Sequence, residues 1–131
     1  MIALAWVLVA CSGATLSDLE PVARQIEAPP GWEQIAYEAD EGSCLNPIES
    51  CPQIELTYIT PADDDFGALT TELLENAGLE VWDPPAAECG TDAGPNCNVR
   101  ASGGGVSALA QVTGQTDEER TVSIRLVQDS N

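Results

Sequence analysis

The cysteines constrain this chain more than any other feature. Cys44 and Cys51 form one local pair, spaced C-x6-C, and Cys89 and Cys97 form another, spaced C-x7-C. Each pair encloses turn-forming sequence, with Asn46-Pro47 in the first loop and Gly94-Pro95-Asn96 in the second. Four cysteines allow three pairings. We expect Cys44–Cys51 and Cys89–Cys97, because each local bridge closes a compact loop between two strands. Loops this short contribute roughly 2–3 kcal/mol each by restricting the unfolded chain. Zinc is a poor fit, since four-thiolate sites use C-x2-4-C knuckles. The C-x-x-C of a redox site is absent as well.

Disulfides need an oxidising compartment, and the start of the chain gives a reason to expect one. Residues 2–10 are all apolar and uncharged, and Cys11-Ser12-Gly13 follows. A run this short cannot span a bilayer, which needs about 20 apolar residues in a helix. It has the size of a signal-peptide apolar region. The tetrad Leu8-Val9-Ala10-Cys11 resembles the lipobox of bacterial lipoproteins. The resemblance covers roughly the first 13 residues. It implies cleavage between Ala10 and Cys11 and a diacylglycerol on the Cys11 sulfur. It also implies a lipid-anchored protein on the extracytoplasmic side of a membrane. The basic segment that usually precedes such a run is missing, because only Met1 stands before it. A start upstream of Met1 is therefore expected. With Cys11 assigned to lipid, an even set of four cysteines remains.

Charge narrows the partners. There are 22 Asp and Glu residues against four Arg, with no His, and the net charge is −18. The four cations are Arg24, Arg100, Arg120 and Arg125, and there is no Lys. Nucleic acid is excluded as a partner, since binding it depends on Lys and Arg neutralising phosphates. Anionic headgroups repel such a surface, so membrane contact is expected only through the lipid on Cys11. The acids are spread along the chain, which reads as a hydrated, solubilising surface.

Catalysis is not expected. Without His or Lys, the usual triads and Ser-Lys dyads cannot form. The run Gly103-Gly104-Gly105 lacks the Lys of a phosphate loop, and a turn or bulge is its expected role. The triplet Asp63-Asp64-Asp65 lacks the alternating ligands of a calcium loop. Helix capping is the expected job of these carboxylates. No metal ligands and no cofactor are assigned.

The chain divides into three parts by composition. Residues 1–10 are the expected signal peptide. Residues 11–31 are the lipidated cysteine and a tether, with a possible short helix whose capping box is Ser17-x-x-Glu20. Residues 32–131 are a small acidic, disulfide-stapled domain. A strand is expected from Trp32 to Asp40, with Ile35 and Tyr37 on one face. Ile54, Leu56 and Tyr58 alternate in a second strand. Phe66, Leu69, Leu73 and Ala77 share one face of a helix from about Asp64 to Ala77, closed by Gly78. A short strand follows from Leu79 to Trp82, stopped by Pro84. Val99 to Ala101 begins another, broken by the glycines. Val106 to Val112 and Val122 to Leu126 complete the sheet.

The expected fold is α+β: an antiparallel sheet of about five strands, order β-β-α-β-β-β, with one main helix on one face. The other face is left open as a contact surface. Trp32, Trp82, Tyr37 and Tyr58 are the large aromatic anchors, expected mostly in the core. The leading functional reading is a non-catalytic interaction module with a protein partner in the cell envelope. A calcium-binding domain and a small envelope enzyme are the alternatives.

Overall fold

The computed structural model describes residues 18–40, 52–83, 89 and 97–128. The tetrad Leu8-Val9-Ala10-Cys11, Ser17, and the Cys44–Cys51 pair lie outside these residues. The elements run α1 (Glu20–Gln25), β1 (Glu33–Asp40), β2 (Gln53–Pro61), α2 (Phe66–Asn76), β3 (Glu80–Asp83), β4 (Asn98–Gly103), β5 (Val106–Gln115) and β6 (Glu119–Gln128).

The alternation read from the sequence builds the sheet. Ile54, Leu56, Tyr58 and Thr60 are buried along β2, while their neighbours are partly exposed. Val106, Ala108, Ala110 and Val112 do the same along β5. Register carries this stripe across the strands, setting Leu56 opposite Ile124 and Ile124 opposite Ala110. One face of the sheet is thus mostly apolar, with Thr60 and Arg120 its buried polar residues at one end. All pairings are antiparallel, in the order β1-β2-β6-β5-β4-β3.

Six strands are present rather than five, and the glycines explain the difference. Gly103 pairs with Val106, so Gly104 and Gly105 form a two-residue hairpin turn between β4 and β5. Their φ angles are +60° and +82°. A tight hairpin turn whose twist suits the strands needs positive φ at both positions, which glycine adopts without strain. The run that reads as a break in a strand is the corner of a hairpin.

Helix α2 forms where expected, and its ends are chemically defined. The Asp65 carboxylate accepts the Ala68 backbone N–H at 3.0 Å, so Asp65 is the N-cap. At the other end, Gly78 has φ +89°. Leu79 N–H reaches the Leu74 carbonyl at 3.1 Å, and Gly78 N–H reaches that of Glu75 at 3.0 Å. This double bond pattern is a Schellman stop. Phe66, Gly67, Thr70, Leu73 and Leu74 are the buried face, with Leu69 at its margin. The helix packs on β3 and β4. Ala101 on β4 is a small, fully buried residue of that surface.

The segment expected to be a tether contributes to the core. Leu19 is fully buried, and Ala23, Ile26 and Trp32 join the same cluster. The possible short helix forms as α1, but its N-cap is Leu19 and no side chain caps it. Pro21 sits in its first turn, where a missing N–H has no cost. The packed unit therefore reaches back to Leu19, ahead of the boundary expected at Trp32. The Trp32 ring lies 5.8 Å from that of Tyr58, so this segment covers core over β2.

Candidate functional site

The second face of the sheet carries no helix in the described part of the chain. Its residues are those between the buried ones on each strand. Register lines up one row across five strands: Arg100 on β4, Leu109 on β5, Arg125 on β6, Glu55 on β2 and Glu38 on β1. The row is basic on one side and acidic on the other. The next row runs Ser102, Ser107, Val127, Gln53 and Asp40.

A groove of about 300 Å³ lies over the basic half. Trp82, Arg100, Ser107, Leu109, Arg125 and Val127 line it. Trp82 is 59% exposed, the most exposed of the large apolar side chains described. It is placed by β3, a strand of four residues at the sheet edge. A register shift between Val81 and Asp83 in the pairing with β4 sets the tryptophan beside Arg100. Bulges of this kind re-aim side chains at sheet edges.

Hydrogen bonds organise the row. Glu55 accepts from Ser123 Oγ at 3.0 Å and from Arg125 at 3.3 Å. The Arg125–Glu55 ion pair is partly exposed on both sides, and such pairs hold weakly. Of the other arginines, Arg24 pairs with Glu20 on the exposed side of α1. Arg120 is buried, at 1% exposure. The groove therefore holds both arginines that the sheet sends toward solvent.

The Cys89–Cys97 disulfide forms as expected, with Cα atoms 5.5 Å apart. Both cysteines are buried. The bridge closes the connection from β3 to β4, next to the strands that carry Trp82 and Arg100.

The aromatic anchors separate. Trp32 and Tyr58 are core residues, at 8% and 1% exposure. Tyr37 is 49% exposed but stands opposite Leu56, on the helix-side face at the sheet margin. Ile35 is 53% exposed and has no register partner, because β1 bulges between Gln34 and Ala36. Among the described residues, Trp82 is thus the one exposed aromatic on the open face. Burial raises the Tyr58 phenol above its ordinary pKa of 10.0.

Two of the three aspartates have structural roles. Asp65 caps α2, and the Asp64 carboxylate accepts the Trp32 indole N–H at 3.1 Å. Among the described residues, no group of three or more carboxylates and thiolates is arranged to hold a metal ion. Among the same residues, no helix is long and apolar enough to cross a membrane.

Reading the strands one at a time misses Arg100, Leu109 and Arg125. Their alternation with Val99, Ala101, Ile124 and Leu126 marks them as outward-facing. Their meeting in one groove depends on the Gly104-Gly105 turn, which fixes the β4–β5 register. No protein-family profile matches the chain, and no curated protein or solved structure shows significant similarity to it.

Proposed function

We propose that this chain is a lipid-anchored extracytoplasmic lipoprotein whose domain is a non-catalytic interaction module. Cys11 carries the anchor, and the open sheet face meets a protein partner of the envelope. The observation that carries the interaction reading is the groove, where an exposed tryptophan on the edge strand β3 shares a lining with outward-facing residues of β4, β5 and β6. Tryptophan and arginine are the residues most often found at energetic centres of interfaces. The Cys89–Cys97 bridge supports an oxidising compartment.

The packing of Leu19 adds a geometric limit. Eight peptide units separate Cys11 from Leu19, and fully extended they reach roughly 28 Å. A domain held this closely works beside its own membrane.

Two measurements test the reading. Cys11→Ser should abolish lipid labelling and release the chain from the membrane fraction. Membrane attachment and processing unchanged by that substitution would overturn the anchor. A photo-crosslinking residue placed at position 82 in cells should give a discrete adduct with one envelope protein. The same residue at Gln115, outside the groove, should not. Equal crosslinking at both positions would remove the open face as the contact surface.

A further inference from the structure

We infer that the outer edge of β1 docks an extended strand of a partner protein, one that alternates basic and apolar side chains. This surface is separate from the groove, which starts at the opposite edge of the sheet, on β3. Among the described residues, β1 pairs with β2 alone, so the backbone groups on its outer side meet no strand. Such an edge is a template for an added strand. The bulge at Ile35 leaves Ala36 to Asp40 in unbroken register with β2, the length of an ordinary strand. Ile35 and Tyr37 stand on β1, two of the three exposed large apolar side chains among the described residues. Tyr37 lies on the helix-side face, opposite Leu56, whereas α2 packs on β3 and β4 at the far side of the sheet. An apolar side chain of the incoming strand covers the exposed part of Tyr37.

Charge selects the partner. Glu33 and Glu38 are exposed, and their register partners Ile59 and Glu55 put both on the open face. Glu38 stands directly opposite Glu55, and like charges so placed are unfavourable. Arg125 meets Glu55 from β6, but among the described residues Glu38 has no ion pair. The chain's cations are four arginines, and none serves β1. Arg24 pairs with Glu20, Arg125 with Glu55, and Arg120 bonds the Asp64 carbonyl. Arg100 is on β4, four strands from β1, or roughly 19 Å at the usual strand spacing. An arginine or lysine on the incoming strand supplies, beside Glu38, the countercharge that the chain lacks. The net charge of −18 steers a basic partner toward this edge and repels a second copy. Single surface ion pairs are weak, so the backbone ladder supplies affinity and the charges supply selection.

The experiment uses the full chain carrying Cys11→Ser, with backbone amide shifts, amide exchange and sedimentation as readouts. The probes are three blocked peptides of equal length. One alternates valine with arginine, one alternates valine with glutamine, and one has the composition of the first with its arginines contiguous. The alternating arginine peptide should bind saturably and about tenfold more tightly than the other two, and should slow amide exchange in β1. The double substitution Glu33→Gln with Glu38→Gln should weaken that binding about fivefold or more. The same charge change on the exposed side of α2, Glu72→Gln with Glu75→Gln, should weaken it less than about twofold. The unbound chain should sediment as a monomer. No saturable binding of the alternating arginine peptide overturns the inference. Equal binding of either other peptide, or equal weakening by the two double substitutions, does the same. A dimer whose β1 amides are protected also overturns it, since a second copy then occupies the edge. The crosslink at position 82 reads the groove alone, so failure of one surface is distinguishable from failure of the other.

Discussion

Arg120 donates a guanidinium N–H to the Asp64 backbone carbonyl at 2.7 Å, joining groups 56 residues apart in sequence. The same Asp64 takes the Trp32 indole N–H on its carboxylate. One residue of the acidic triplet thus ties the N-terminal segment, the start of α2 and the start of β6 together. The arginine is buried on the helix side of the sheet, opposite Thr60. Truncating it removes a charge-assisted hydrogen bond and leaves the carbonyl unsatisfied. We predict that Arg120→Ala lowers stability by about 2–3 kcal/mol, and that Trp32→Phe costs about 1 kcal/mol. Urea titration should show a lower midpoint with an unchanged slope. An Arg120→Ala midpoint equal to that of the parent would show that this tie does not hold the fold.

The glycine corner makes a second prediction. Gly105 has φ +82°, and a Cβ there meets nothing within 4 Å. The cost of a substitution is then backbone strain alone. Gly105→Val should lose about 1–2 kcal/mol. Gly104→Asn should be nearly neutral, because asparagine adopts positive φ in such turns. Thermal unfolding of the two variants separates strain from crowding, and equal losses would argue against the turn geometry described.

Alkaline stability follows from Tyr58. Burial raises its pKa in the folded state above the ordinary 10.0, so the native protein holds the phenolic proton longer than the unfolded chain does. The stabilisation is fully present below the unfolded pKa and is lost as pH rises through the folded one. Unfolding midpoints should fall above about pH 10. Tyr58→Phe should flatten that fall, and a parallel decline in the variant would assign it to other groups.

The Cys89–Cys97 bridge spans eight positions in sequence. Replacing both cysteines by serine should cost roughly 2–3 kcal/mol by freeing the unfolded chain. Because the bridge closes the β3–β4 connection, the damage should concentrate on β3. Hydrogen exchange should quicken there before it does in β2 or β6. Uniform loss of protection across the sheet would mean that β3 does not open separately.

Much of this architecture is legible along the chain. The apolar period of two in β2, β5 and β6 and the helical period in α2 are local patterns. Asp65, Gly78 and the disulfide Cys89–Cys97 are likewise placed by short-range chemistry. The buried role of Leu19, Ala23 and Ile26 was hidden, because Pro21, Pro29 and Pro30 mask a segment whose apolar residues join a core built far along the chain. Arg120 was hidden for the same reason. A lone arginine at a strand start reads as surface until Asp64 is brought beside it.

The open groove shows the division most clearly. The sequence by itself determined which residues of β4, β5 and β6 face away from the core, since alternation is a property of a single strand. Only the tertiary structure decided that Arg100, Leu109 and Arg125 share a row with Glu55, and that Trp82 stands at its end. Register between strands depends on turn geometry and on pairings such as β2 with β6, which sets Glu55 beside Ser123, 68 residues away. That is also why the glycine run, read locally as a break, proved to be the corner that sets Arg100 opposite Leu109.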